Sequence, residues 1–364
     1  MKQGWEIKKL GEVVDIINGR NQSAVISDNG QYPIYGSAGN LMGLATDYLC
    51  EEGTTIIGRK GNISNPIYIE EKFWNVDTAF GLYPKNGYST KFINYLCQTI
   101  DFKSRNRGTT IPSLVKSDLL TIDIPFISSL PEQQRIVSIL DEAFAAIAKA
   151  KTNAEQNLKN AKELFESYLQ GVFENGNWET KTLNQISENL DSKRIPITKN
   201  KRKSGDIPYY GASGIVDYVA DYLFDEDLLC VSEDGANLLA RTYPIAFSIS
   251  GKTWVNNHAH VLKFPNIITQ KFVEVYINSI RIDDYVSGMA QPKLNQAMLN
   301  KIPIPVPLLE EQQAIVRHLD ALRAETQKLE AVYQKKITNL EELKKSILQK
   351  AFAGELKNEK AILV

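Results

Sequence analysis

Cysteine and histidine are scarce in this chain, with three residues of each among 364. Cys50, Cys97 and Cys230 lie far apart, and the sequence has no Cys-x-x-Cys pair and no mixed cysteine–histidine cluster. This excludes a disulfide framework and argues against a zinc site. Long apolar runs are also missing, since no stretch of about 18 apolar residues occurs and the first residues form no apolar signal core. We therefore expect a cytoplasmic protein with no membrane partner.

Net charge is nearly absent as well, because 42 Lys and Arg residues face 43 Asp and Glu residues, which leaves −1 at pH 7. A bound nucleic acid would have to meet local basic patches, since the global field is neutral. The hydrophobic fraction of 43% and the charged fraction of 23% exclude a disordered or collagen-like chain. The length suits two or three domains of roughly 100–200 residues each.

Much of the sequence is present twice. Matching motifs keep their order along the two halves, which indicates an ancient internal duplication rather than a solenoid of about three or more repeats. The matched segments are 5–10 with 178–183, 33–36 with 208–211, 108–114 with 288–294, 132–134 with 311–313, and 169–173 with 348–352.

Each half changes its hydrophobic period once. Short apolar runs broken by Gly, Pro and Asn come first and predict a mixed α/β module with one clear helix, at 91–99 and at 271–279. Apolar residues then recur at alternating spacings of three and four, from Ile136 to Val172 and from Ile315 to Ala351, which is the heptad pattern of a coiled coil. The predicted boundaries are 1–130 and 175–308 for the modules, and 131–174 and 309–364 for the helices.

One long helix cannot bury its apolar stripe alone, so we expect the two helices to pair, and antiparallel pairing would relate the halves by a pseudo-two-fold axis. The predicted fold class is α+β, or mixed α/β, with two tandem modules that are each followed by a long helix. Each module would then lie at one end of a rod of roughly 60 Å, and DNA offers a matching local dyad. A helical hairpin that only stabilises the fold or a homodimer is an open alternative, because heptads specify pairing and not purpose.

Five motifs together resemble the DNA specificity subunit of type I restriction–modification systems. They are Trp-x-x-x-x-Leu-Gly-Glu-Val at 5–13, Tyr-Gly-Ser-Ala-Gly at 35–39, Ile-Gly-Arg-Lys-Gly-Asn at 57–62, Glu-Gln-Gln-x-Ile-Val at 132–137, and Ile-Pro-Ile-Pro at 302–305. The resemblance covers essentially the whole chain. It implies two target-recognition domains that read a bipartite site in double-stranded DNA.

The resemblance also implies partners. These are two methyltransferase subunits, which bind S-adenosylmethionine and methylate adenine, and a translocating endonuclease subunit, which uses ATP and Mg. It implies no cofactor and no catalytic centre in this chain.

The residues agree with a non-catalytic role. The chain has no Asn-Pro-Pro-aromatic methyltransferase loop, no G-x-G-x-x-G turn and no phosphate-binding P-loop. His258 and His260 have no acidic residue beside them in the sequence, and we interpret them as structural rather than as metal ligands or a nuclease base. Two alternatives stay open: a stand-alone coiled-coil DNA-binding or assembly protein, and a self-contained DNA methyltransferase or nuclease.

Base reading requires cations, amides or carboxylates at base edges, and such residues should differ between the two halves. Arg59 and Lys60 against Glu233 and Asp234 form the clearest difference, whereas the basic run at 193–203 suits a phosphate clamp or a solvated loop. The predicted DNA-binding residues are Arg59, Lys60, Asn62, Lys103, Arg105 and Arg107 in the first module, and Lys199, Lys201, Arg202, Lys203, Glu233, Asp234, Asn237, Arg241, Lys252, Gln291 and Lys293 in the second.

Overall fold

The computed structural model describes residues 4–288 and 290–356, which group into two compact units. The first unit combines the residues up to Glu155 with those from Gln334 onward, and the second unit spans Gln156–Tyr333. Each long helix is therefore divided between the units, so that each unit contains one module and one segment of both helices.

Short strands dominate the module of the first unit. They are β1 (Trp5–Lys9), β2 (Val14–Asn18), β3 (Tyr32–Tyr35), β4 (Leu41–Ala45), β5 (Thr55–Gly58), β6 (Ile67–Tyr68), β7 (Trp74–Asn75), β8 (Ala79–Pro84) and β9 (Asp123–Ile127). They form a β1-β9 pair, a four-stranded sheet in the order β2-β8-β5-β6, and a three-stranded sheet in the order β4-β3-β7. The helices are α1 (Leu10–Val13), α2 (Thr90–Thr99), α3 (Lys116–Leu120) and the long α4 (Leu130–Asn175).

The second unit repeats this topology and adds one strand at the edge of its last sheet. Its strands are β10 (Thr180–Lys181), β11 (Glu188–Asn189), β12 (Ile207–Gly211), β13 (Gly214–Val219), β14 (Phe224–Asp225), β15 (Leu228–Ser232), β16 (Ala246–Ile249), β17 (Lys252–Val255), β18 (Ala259–Lys263) and β19 (Ile304–Pro305). The sheet orders are β10-β19, β11-β18-β15-β16 and β13-β12-β17-β14. The helices are α5 (Leu183–Ile186), α6 (Asn237–Ala240), α7 (Ile267–Ser279), α8 (Gln296–Leu299) and the long α9 (Leu309–Phe352).

The duplication holds at the level of backbone detail. The hairpins β3-β4 and β12-β13 both shift register at a tyrosine, Tyr35 in one and Tyr210 in the other, and both pair in parallel with a later strand. The predicted helices at 91–99 and 271–279 correspond to α2 and α7. Both begin at a polar cap, because Ser89 Oγ accepts from the Phe92 N–H and Asn266 Oδ1 accepts from the Thr269 N–H.

The long helices pair antiparallel in each unit. In the first unit Lys151 Nζ lies 2.6 Å from Glu341 Oε1, and the Lys344 ammonium lies 4.9 Å from the centre of the Phe144 ring. The later residue of α4 thus contacts the earlier residue of α9, which shows that the helices run in opposite directions. In the second unit Tyr168 contacts His318, with ring centres 4.8 Å apart. The predicted architecture of two modules with an antiparallel helix pair is confirmed.

A repeated aromatic contact joins each module to a helix end. In the first unit Phe352 of α9 packs against Trp5 and Phe92, with ring centres 6.2 and 5.1 Å apart. In the second unit Phe173 of α4 packs against Trp178 and Phe272 at 6.4 and 5.6 Å. The first module is therefore completed by a side chain that lies near the far end of the described chain.

The helical stripe is only partly covered. Ile136, Leu140 and Ile147 are buried in the core of the first unit together with Ile347, whereas Leu343 is 45% exposed. Two helices bury only the seam between them, so apolar positions beside the seam remain accessible. Within residues 4–288 and 290–356, no helix combines the length and the apolar character needed to cross a membrane.

Candidate nucleic-acid interface

Loops meet at one edge of the first module, where β5 ends. The Arg59 N–H donates to Thr78 O at 2.8 Å, and the Leu114 N–H donates back to Arg59 O at 2.8 Å. The Gly61 N–H donates to Pro112 O at 2.9 Å. The last two bonds hold residues 59–62 against residues 112–114, and we call this pair of segments the first loop edge.

The second module builds the same backbone frame. The Glu233 N–H donates to His258 O at 2.8 Å, the Leu294 N–H donates to Glu233 O at 2.8 Å, and the Gly235 N–H donates to Pro292 O at 3.0 Å. We call residues 233–236 together with 291–294 the second loop edge. Gly61 and Gly235 occupy the same turn, with φ of 82° and 106°, a region that glycine enters without strain.

Exposed cations concentrate at the first loop edge. Arg59, Lys60 and Asn62 are all exposed, and the Arg59 guanidinium lies 5.8 Å from the centre of the Phe80 ring. The Arg107 N–H donates to Ser113 O at 2.9 Å, which places Arg107 beside the same edge.

The predicted residues of the first module are thus brought into one region. Lys103 and Arg105 are exposed on a 3₁₀ turn (Phe102–Arg105) that leads directly to Arg107. The Arg107 side chain pairs with Asp118 at 2.8 Å, and this hydrogen bond raises the pKa of the guanidinium.

The predicted residues of the second module do not converge in this way. Gln291 and Lys293 are exposed at the second loop edge. Lys252 lies on β17 with its ammonium 4.8 Å from the Tyr222 ring centre, and Lys203 borders β13, so both belong to the β13-β12-β17-β14 sheet. Lys199 and Lys201 are exposed on a 3₁₀ turn (Lys199–Lys201) beside Lys203.

Three other predicted DNA-binding residues make their contacts inside the fold. Arg202 pairs with Asp217 at 2.8 Å and lies over the Tyr209 ring. Asn237 is buried, and its side chain accepts from the Thr242 N–H at 3.0 Å, which closes the turn after α6. Arg241 donates to carbonyl oxygens at the C-terminal end of α7, and burial lowers the pKa of its guanidinium. Arg202 and Arg241 thus donate to a carboxylate and to backbone carbonyls, while Asn237 accepts from a backbone N–H.

The carboxylates of the second loop edge, which were predicted to accept from bases, are also paired within the module. Glu233 Oε2 lies 2.7 Å from Arg194 Nη1, and both side chains are almost enclosed, at 13% and 12% exposure. Asp234 Oδ2 lies 2.7 Å from His258 Nδ1. Arg194 was assigned to a solvated basic run, and its burial corrects that interpretation too.

The two histidines of the Asn-Asn-His-Ala-His segment do have acidic partners. His258 pairs with Asp234, and the buried His260 lies 2.6 Å from Asp191 through Nδ1. Strand pairing between β11 and β18 brings Asp191 to His260 although 69 residues separate them, so the missing acidic neighbour in the sequence is supplied by the fold. Within the described parts of the chain, no group of three or more His, Cys, Asp and Glu side chains is arranged to hold a metal ion.

Pairing controls the charge of these carboxylates. Burial alone would raise the pKa of Asp191, but hydrogen bonds from His260 and the Val261 N–H outweigh it and hold the pKa below its usual range. Burial acts in the same direction on Glu233, and the hydrogen bond from Arg194 together with the charges of His260 and Lys293 again lowers the net pKa. Both groups are therefore carboxylates at neutral pH.

Sequence reasoning missed Asp191 altogether and misplaced Arg194. One signal was available: the repeat aligns Glu233 with Arg59 and, through the β15-β18 and β5-β8 registers, His260 with Phe80. A cation over an aromatic ring in one module thus corresponds to a carboxylate near an imidazole in the other. The simultaneous change at both positions indicates contact.

Comparison with known proteins agrees with this duplicated arrangement. The profile of the family described as Type I restriction modification DNA specificity domain matches residues 2–158 and again residues 175–339. A Haemophilus influenzae protein named as a type I restriction enzyme specificity subunit is 33% identical over 199 residues, so the match spans half of this chain and 51% of that protein. The EcoDI specificity subunit of Escherichia coli is 23% identical across 97% of this chain and 88% of its own.

One solved structure shows the same fold. It comes from work on complex assembly and conformational transition of the type I R-M system, and it covers 98% of this chain and 99% of its own with a TM-score of 0.76 at 15% identity. Since the family profile matches both halves, the chain belongs to the type I restriction–modification DNA specificity family and carries two copies of its domain.

Proposed function

We propose that this chain is the DNA-recognition subunit of a type I restriction–modification complex and that each module reads one half of a bipartite site. The observation that supports this is the repeated loop edge: one backbone frame occurs twice, and the side chains on it differ. A shared frame suits docking to the same duplex geometry, while different side chains suit different base sequences. The term half-site below means the part of the site read by one module.

Electrostatics favour the first loop edge as a contact to DNA. The chain as a whole is almost neutral, yet Arg59, Lys60, Lys103, Arg105 and Arg107 are exposed in one region of the first module. Clustered cations of this kind bind phosphates, and an arginine at their centre can form two hydrogen bonds with guanine O6 and N7.

The family relationship suggests the partners. Two methyltransferase subunits would bind S-adenosylmethionine and methylate adenine, and a translocating endonuclease subunit would use ATP and Mg. A duplicated chain presents similar surfaces twice, which suits two copies of one partner. In this arrangement the chain has no catalytic role and works in the cytoplasm, where its DNA substrate lies.

We predict that Arg59→Ala relaxes one base position of the first half-site. If Arg59 binds a guanine, its removal should weaken binding of the correct site by about 1–3 kcal/mol. Lys201→Ala is the contrasting variant: as an exposed phosphate contact, it should weaken all sequences alike and reduce the salt dependence by about one unit.

Genome-wide mapping of methylated adenines checks both outcomes in cells that make the partner subunits. Wild-type chain should yield a bipartite motif, and Arg59→Ala should yield the same motif with one degenerate position. A bipartite motif in cells that lack this chain would contradict the proposed function. Degeneracy in both halves of the motif after Arg59→Ala would instead show that Arg59 supports the fold or contacts the DNA backbone.

A further inference from the structure

Four buried or nearly buried charged side chains cluster beneath the second loop edge. Arg194 Nη1 donates to Glu233 Oε2 at 2.7 Å and to a backbone carbonyl at 2.6 Å, while Arg194 Nε lies 3.5 Å from Asp191 Oδ1. His260 completes the cluster, 2.6 Å from Asp191 and 3.9 Å from Glu233. We call these four residues the second-module network.

Both ring nitrogens of His260 lie within hydrogen-bond distance of an oxygen. Nδ1 faces Asp191 Oδ2, and Nε2 faces Leu294 O at 2.8 Å. The ring therefore links the Asp191 carboxylate to the backbone that follows Lys293.

The network holds residues 293–294 by both side chain and backbone. Lys293 Nζ lies 3.2 Å from Glu233 Oε1, the oxygen that Arg194 leaves free. The next residue, Leu294, donates its N–H to Glu233 O and receives the His260 bond at its carbonyl. Lys293 itself remains 53% exposed, so its ammonium is held in place and still accessible.

The first module has nothing equivalent at these positions. The frame aligns Lys293 with the uncharged Ser113, and His260 with Phe80, which has no hydrogen-bond donor. Exposed cations of the frame are therefore on the β5 loop in the first module, at Arg59 and Lys60, and on the facing loop in the second, at Lys293.

We infer that Lys293 is the base-reading cation of the second half-site and that the second-module network is its positioning device. This inference rests on the proposed DNA-recognition function. A lysine ammonium on a flexible stem discriminates bases poorly unless it is held at one place, and Glu233 supplies that restraint. The partner is a guanine presenting O6 and N7 in the major groove.

A double-mutant cycle tests this in the complex with its partner subunits. Binding is measured to duplexes with each base substitution in the second half-site, for the wild type, Lys293→Met, Glu233→Gln and the double variant. Lys293→Met should lower discrimination at one position by about tenfold. Glu233→Gln should lower it at the same position, and the double variant should lose no more than Lys293→Met alone, because both changes remove one interaction.

Selection at the first half-site is the internal reference and should stay unchanged in all three variants. Lys293 is exposed, so Lys293→Met leaves the fold intact and remains decisive even if Glu233→Gln destabilises the module. If Lys293→Met weakened binding to every sequence equally and lowered its salt dependence, Lys293 would be a phosphate contact and the inference would be overturned. If the losses of Lys293→Met and Glu233→Gln were additive in the double variant, the positioning role of Glu233 would be overturned. A wild-type complex without any site preference would refute the proposed function itself.

Discussion

Replacement of Phe352 by alanine should destabilise the first unit by about 3–5 kcal/mol, the usual effect of removing a buried aromatic side chain. Phe352 is 4% exposed, and it packs against Trp5 and Phe92, which come from the start of the chain and from α2. Its loss leaves a cavity where helix α9 closes the core of a module that lies more than 200 residues earlier in the sequence. Hydrogen exchange measures the effect locally, since protection in α2 reports the opening free energy of this region.

Phe173→Ala is the matched variant, because Phe173 occupies the repeat position and packs against Phe272 in α7. Phe352→Ala should accelerate exchange in α2, and Phe173→Ala should accelerate it in α7. Leu308→Ala is the neutral control, since Leu308 is 81% exposed. An effect of Phe352→Ala below about 1 kcal/mol, or one that is no larger in α2 than in α7, would contradict the packing described above.

Replacement of Arg194 by methionine should destabilise the second unit by about 3–5 kcal/mol, because it removes one partner from a buried ion pair and keeps most of the side-chain volume. Asp191 and Glu233 would then lose the guanidinium that lies beside both of them. Urea unfolding measures the change in the free energy of unfolding. Hydrogen exchange in β18, the strand that contains His260, measures the change locally.

Two further variants show whether the loss of stability comes from charge or from packing. Arg281→Met is the control, because it removes an ion pair with Asp283 in which the Arg281 side chain is 78% exposed. The loss of such an exposed pair should change the free energy of unfolding by less than about 1 kcal/mol. Arg194→Met combined with Glu233→Gln should recover more than half of the loss, because the second change removes the buried carboxylate that the first leaves without its guanidinium partner. No recovery in the double variant would show that Arg194 acts by packing rather than by charge.

The sequence predicts the architecture well because the internal repeat and the heptad spacing are visible in the order and spacing of residues along the chain. The repeat locates both modules, the apolar period locates α4 and α9, and the single-face pattern at 91–99 locates α2. None of these predictions required knowledge of which strands are neighbours. They depend only on order and spacing along the chain.

The candidate site was harder to predict, because its contacts depend on strand register. Asp191 reaches His260 only through the β11-β18 pairing, and Glu233 reaches Arg194 only because β15 lies beside β18. A basic side chain in a loop looks the same in sequence whether it faces solvent, as Arg59 does, or pairs with a carboxylate of its own module, as Arg202 and Arg194 do. The sequence rule that base-reading positions differ between the halves selected Arg59, which is exposed, and Glu233, whose side chain pairs with Arg194 inside the module.

The most direct measurement of modular reading is the methylation motif of a chain in which the first loop edge alone is changed. The triple variant Arg59→Ser, Lys60→Ser and Asn62→Ser removes the exposed polar side chains but keeps Gly61, whose positive φ shapes the turn. Mapping of methylated adenines in cells with the partner subunits should show that one half of the bipartite motif is altered or relaxed while the other half is unchanged. A motif that relaxes in both halves, or one that keeps every base while methylation falls, would contradict the conclusion that each module reads its own half-site.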